Sequence, residues 1–148
     1  MKDQLKLKGE VFITVKDKDG KVKETRKETN LVVDSGLDFI CSRMANADQA
    51  VMTHMALGSG SSAPAGGDTD LGNTLGSRED LDNIVVNSNA VTYSSSFEAG
   101  DATGAVTEAG IFNASTGGDM LCRVTFAEVN KAPEDTITIN WIITLNAA

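Results

Sequence analysis

The chain has 148 residues, 41% of them apolar and 23% charged, with a formal net charge of -8. That length fits one domain able to bury roughly 70% of the surface its unfolded chain exposes, and this balance of residue types excludes a disordered or fibrous class. No apolar run approaches the ~18 residues of a membrane span and the leading MKDQLKLKGE has no apolar signal core, so a product made in a cytoplasm and not inserted in a membrane is expected.

The charge is unevenly spread. Residues 1–30 hold nine Lys or Arg against six Asp or Glu, a balance of +3, whereas residues 31–148 hold four against fifteen, a balance of -11. A basic leading segment on an acidic body can seat on an acidic neighbour, or serve as a solvated edge hairpin whose lysines discourage strand-to-strand association. So acidic a body excludes nucleic acid as the main partner, because neutralising phosphates takes clustered Lys and Arg. Cys41 and Cys122 have no Cys or His neighbour at metal-ligand spacing, and both are expected as buried free thiols.

Along the chain, Val11-Phe12-Ile13-Thr14-Val15 alternates, Asp17-Lys18-Asp19-Gly20 is a polar turn, and Lys21 to Thr29 returns as a second strand with lysines outward. The turn shares Asp17, Asp19 and Gly20 with the start of a calcium loop but lacks the remaining ligands and the closing glutamate, so a hairpin is expected. Leu31-Val32-Val33 then leads into Leu37, Ile40, Cys41 and Met44, spaced as the apolar stripe of one short helix near residues 35–46 and capped by Ser35 or Asp34.

Val51 to Leu57 reads as a strand. After it, the Gly/Ser/Ala-rich stretch that opens with Gly58-Ser59-Gly60 runs as irregular backbone over residues 58–80. A composition of this kind packs no core, and the expectation is a surface arm that becomes ordered against a partner. It lacks the Gly-Lys-Ser or Gly-Lys-Thr of a phosphate-binding loop. The remainder is strand after strand: Ile84-Val85-Val86; Val91, Tyr93, Ser95 and Phe97 in alternation; Val106 to Phe112; Met120 to Val129; and a last strand with Ile137, Ile139, Trp141, Ile143 and Leu145 on one face. Seven or eight such strands with one helix describe a mainly β fold, an antiparallel β-sandwich or jelly-roll-like barrel spanning residues 1–148 as a single domain. Trp141 is placed at the centre of its core.

Catalytic chemistry finds little material. His54 is the single histidine and no nucleophile elbow accompanies it, so it is read as structural. Asp68 with Asp70 and Glu79 with Asp80 are neighbours in sequence, which does not set two carboxyls across a substrate. No catalytic, cofactor-binding or metal residue and no small-molecule substrate is expected, and the chain is read as no enzyme. The candidate partner contacts are Lys2, Lys6 and Lys8 in the basic segment and Ser59, Ser61, Ser62 and Pro64 in the loop.

The wording Gly9-Glu10-Val11-Phe12-Ile13-Thr14-Val15, Thr29 to Leu37, Met52 to Gly60 with Ala63-Pro64-Ala65, Thr107-Glu108-Ala109-Gly110-Ile111-Phe112-Asn113, Met120 to Phe126 and Ile137 to Leu145 resembles small structural proteins of tailed bacteriophages over nearly the whole chain. The resemblance implies a virion protein made in the host bacterial cytoplasm, with no active site to transfer. Within the particle it suggests a capsid decoration (cement) protein that bridges major capsid protein subunits as a homodimer or homotrimer. The alternatives are a tail, neck or fibre-base protein and, from another class, a carbohydrate- or cell-surface-binding module.

Overall fold

Alternating apolar residues generate the first strand of the computed structural model, which describes residues 4–46 and 49–147. In β1 (Leu5–Lys16), Val11, Ile13 and Val15 point inward and are buried. The chain turns at Asp17, whose carboxylate accepts the backbone N–H groups of Asp19 and Lys21, and returns as β2 (Val22–Thr29). The Asp17 carboxylate is thereby used to close a turn. Next come β3 (Leu31–Val32), α1 (Asp34–Met44), β4 (His54–Gly58), β5 (Glu79–Asp80), β6 (Asn83–Asn87), β7 (Ala90–Phe97), β8 (Gly104–Phe112), β9 (Met120–Lys131) and β10 (Thr136–Ala147). Among the described residues ten strands form two five-stranded antiparallel sheets, sheet A in the order β2-β1-β10-β7-β6 and sheet B in the order β3-β9-β8-β4-β5. This is the expected sandwich, with more than the seven or eight strands that the alternation predicts. No helix among the described residues is long and apolar enough to cross a membrane.

The core lies between the sheets, and β10 is its spine. Its residues Ile137, Ile139 and Trp141 sit opposite Val15, Ile13 and Val11 of β1 on one side and opposite Phe97, Ser95 and Tyr93 of β7 on the other. Trp141 is fully buried at the centre, as expected. Ser95, the polar member of this set, donates its hydroxyl to the Asp80 carbonyl at 3.0 Å and so ties sheet A to the edge of sheet B. Burial in this apolar surrounding pushes the Tyr93 phenol up to about 12.

The helix forms where expected, turned by one residue. Leu37 and Met44 are 41% and 84% exposed and Cys41 is exposed, while the buried residues are Gly36 and Phe39, with Ile40 half-buried against the core. The cause is Gly36: a Cβ there would overlap the Leu121 carbonyl of β9, so glycine lets the first turn rest on the sheet and fixes the rotation of the helix. Two expectations fail with it. Cys41 is a surface thiol, whereas Cys122 is buried and its thiol is pushed well up by that burial. Neither Asp34 nor Ser35 caps the helix: Val33 holds the N-cap position without a side-chain bond, and the Ser35 hydroxyl is spent on the Met120 carbonyl at 2.6 Å.

Across the other edge, Lys23 of β2 reaches the β9–β10 turn and donates to Asp135 at 2.7 Å. That hydrogen bond, helped by the Ala132 N–H, holds the Asp135 carboxyl below its ordinary value of 3.8. A carboxylate whose folded-state pKa is depressed adds stability above the unfolded value and loses it as pH falls through the folded one. Stability measured by urea unfolding is therefore expected to fall as pH drops below about 4, and Lys23→Ala should make this decline shallower. An unchanged acid profile in the variant contradicts that role.

Candidate functional site: a loop clamped over sheet B by a buried carboxylate

Near the middle of β8 a single acid, Glu108, interrupts an otherwise apolar burial pattern, and Arg123 does the same in the first half of β9, Met120 to Phe126. Antiparallel pairing of the two strands places Glu108 opposite Thr125 and Arg123 opposite Gly110, on the outer face of sheet B. There Arg123 donates through Nε (3.1 Å) and Nη2 (3.0 Å) to Glu108 Oε1, and through Nη1 to Asp68 Oδ2 at 3.0 Å. The carboxylate has further partners. Glu108 accepts the backbone N–H groups of Gly60, Gly72 (2.8 Å) and Asn73 (2.9 Å), three amides drawn from two arms of the loop between β4 and β5.

Glycine at 60 is a requirement of this geometry. A Cβ there would overlap the Glu108 carboxylate and approach Gly72 Cα to 2.8 Å, so a side chain would force the two loop arms apart. Around the clamp the loop makes its own small core. Leu71 packs with Val33, Ala56, Phe112 and Met120 in a cluster separate from the main one. Arg78 lies 3.5 Å from the Phe112 ring centroid, as a stacked guanidinium does, and donates to the carbonyls of Ala114 and Gly117 at 2.8 Å each. The Gly66 carbonyl accepts the Asp34 N–H at the start of the helix (2.8 Å), and the Thr107 hydroxyl donates to the Gly60 carbonyl (2.7 Å).

The Gly/Ser/Ala-rich stretch therefore differs from the free arm expected of it. It is ordered by its own chain and forms a third layer on sheet B, which explains why β8 is buried on both faces. Its outer side presents Ser61, Ser62 and Ala63 to solvent, with Ser59 and Pro64 half-buried. Ser59 accepts from the Asn73 side chain at 2.6 Å and is part of the brace rather than a free contact.

The basic candidates are placed elsewhere. Lys6 and Lys8 are exposed on β1 of sheet A, so the loop and the lysines belong to different sheets, and Lys2 lies outside the described residues. Lys8 and Lys27 share Glu10 at 3.4 and 3.0 Å, which lowers the Glu10 carboxyl, with Lys27 the larger influence. Lys6 carries no ion pair among the described residues. Of the four cations beyond residue 30, Arg78, Arg123 and Lys131 are drawn into the fold, Lys131 donating to the Glu98 carbonyl at 2.8 Å. Their withdrawal leaves the surface outside the hairpin more acidic than composition suggests.

His54 sits between Thr53 Oγ1 (2.7 Å, Nδ1) and Asp80 Oδ1 (3.0 Å, Nε2), its cross-strand neighbour. The neighbouring carboxylates have separate partners: Asp68 faces Arg123, Asp70 faces Arg78 at 3.5 Å, and Asp80 faces His54. Glu79 is left with burial and the nearby acids Asp101, Asp80 and Asp82, which raise its carboxyl. Among the described residues no group of three His, Cys, Asp or Glu is placed to share a metal ion. Neither a protein-family model, nor a curated protein, nor a solved structure matches the chain.

Removing one partner of a buried ion pair costs about 3–5 kcal/mol, because the other charge stays buried without compensation. Glu108→Gln should lose stability of that order and open the loop to protease. Limited proteolysis with mass mapping is expected to find the first cuts between residues 58 and 78 in the variant and none there in the parent chain.

Proposed function

We propose that this chain is a structural subunit of a phage virion, a capsid decoration protein that binds and bridges major capsid protein subunits and strengthens the head through many small contacts. One observation carries the reading: a buried carboxylate and a buried arginine are committed to holding an exposed loop in one conformation. A loop fixed before binding loses little entropy on contact, so a small patch such as Ser61-Ser62-Ala63 can bind without ordering a flexible arm. Loops carried on a rigid sandwich are a common place for recognition.

Two further features support it. The likeness to small structural proteins of tailed phages runs through both sheets, and Glu108 lies within one of its segments. The concentration of exposed lysines on the β1–β2 edge, against an acidic remainder, gives the subunit a polarity that can orient it on a lattice of complementary charge. Such repeated weak contacts gain strength from multivalency across the shell.

The test uses full-length protein and capsids lacking it. Ser61→Glu with Ser62→Glu alters only exposed side chains of the loop, and Lys6→Glu alters an exposed lysine on the other sheet. Both variants should melt within a few degrees of the parent. The loop variant is expected to lower capsid occupancy at least tenfold, and Lys6→Glu to weaken binding mainly at low salt. Hundreds of copies per particle are expected from a lattice position, against roughly three to a few dozen for a tail or neck position. Unchanged occupancy in both variants, or absence of the protein from purified particles, overturns the proposal.

A further inference from the structure

The two edges of sheet A are built differently. On β2 every residue from Lys23 to Glu28 except Thr25 is charged, which discourages another strand from pairing there. The opposite edge, β6, reads Asn83-Ile84-Val85-Val86-Asn87; it has no charge and no proline, and all five residues are exposed, Val86 at 70% and Val85 at 47%. The two-residue turn at Ser88-Asn89 makes Asn87 and Ala90 the closing hydrogen-bonded pair, so Val85 bonds to Thr92 while the N–H and C=O of Ile84 and Val86 point away from the sheet. Among the described residues nothing bonds to them. The side chains of Ile84 and Val86 form one wall of an open apolar groove of about 580 Å³, whose facing wall includes Phe39, Ile40 and Met44 of the helix.

We propose that β6 is a self-association edge: two copies pair β6 with β6, antiparallel, about a two-fold axis at Val85, joining their A sheets into one. In this register Val85 faces the partner's Val85, Ile84 faces the partner's Val86, and Asn83 faces the partner's Asn87. The outward N–H and C=O of Ile84 meet those of the partner's Val86, so the free backbone groups of both edges are satisfied. The same pairing brings the two apolar groove walls together and removes Ile84, Val86 and the 84% exposed Met44 from water.

The sequence of the strand favours a second copy as occupant over an unrelated strand, and charge restricts the register. Asn-Ile-Val-Val-Asn reads almost the same in both directions, and a two-fold antiparallel pair needs that property to set amide against amide and branched apolar against branched apolar. Two copies of a chain with net charge -8 repel, so a self-contact must keep acids apart. The nearest acid on the strand's own line, Asp82, faces the partner's Ser88; the two Asp82 residues lie six strand steps apart, about 20 Å, more than twice the ~8 Å screening length at physiological salt. Sliding the axis towards the amino end of β6 brings them together. The dimer edge stands whether or not the chain is a virion subunit.

Sedimentation velocity on the full chain over a range of concentrations tests it. The parent is expected at the mass of a dimer, and Val85→Lys, an outward-facing exposed position, at the mass of a monomer with an unchanged far-ultraviolet circular dichroism spectrum. A second variant needs no loss of binding: in a Cys41→Ser background, Val85→Cys should oxidise to a covalent dimer. Asn87→Cys should not, because in this register the two positions 87 lie about four strand steps apart, beyond disulfide reach. A parent that stays monomeric at every concentration, a dimer that survives Val85→Lys, or cross-linking at 87 as efficient as at 85 overturns the proposal.

Discussion

Five donors converge on the Glu108 carboxylate: two from Arg123 and three from the backbone of the β4–β5 loop. Inside a protein an ion pair must offset a desolvation penalty of several kcal/mol per ion, and a carboxylate does so only when its lone pairs are filled. Here the loop amides complete the set. The loop needs the carboxylate because Gly60, Gly72 and Asn73 would otherwise leave N–H groups unpartnered against the sheet, and the carboxylate needs the loop because Arg123 alone does not use all its acceptor capacity. Asp68, itself in the loop, closes the circuit on the far side of Arg123.

This mutual dependence gives the molecule its asymmetry. Sheet B is covered twice, by the main core on one face and by the clamped loop with Leu71 and Arg78 on the other. Sheet A is covered once, and its outer face carries the salt-bridged lysines of β1 and β2. The surface therefore offers three places of different character: a rigid polar loop, a basic hairpin and an apolar edge at β6. Three distinct faces are what the proposed assembly role requires, because each could meet a different neighbour while the sandwich between them stays unchanged.

The strands were legible because their apolar residues alternate with period two, and burial of one face enforces that register. Ile137, Ile139, Trp141 and Ile143 show this most clearly. The helix was legible as a helix but not in its rotation: a stripe through Leu37, Ile40, Cys41 and Met44 is the more apolar one, and the close backbone contact between Gly36 and Leu121, with Phe39 buried on the same side, turns the neighbouring stripe inward. The same rotation exposes Cys41. The order of the loop was not legible, for a physical reason. Composition reports how much apolar area a segment can bury, and says nothing of hydrogen bonds made by its backbone to a distant carboxylate. A signal did exist, since Glu108 and Arg123 are each the lone charge within an apolar stretch of strand, and two such charges of opposite sign in adjacent strands indicate a buried pair. The destination of the remaining carboxylate lone pairs depends on loop geometry that no local pattern carries.

Amide hydrogen exchange at Gly60, Gly72 and Asn73 in the unmodified protein probes the clamp most directly. If Glu108 holds these three N–H groups as part of the fold, they exchange slowly, with protection comparable to that of amides in β8 and β9. Exchange at the rate of open chain, while β8 and β9 remain protected, would mean that the loop is not fixed by the carboxylate and that the rigid face assigned to it does not exist.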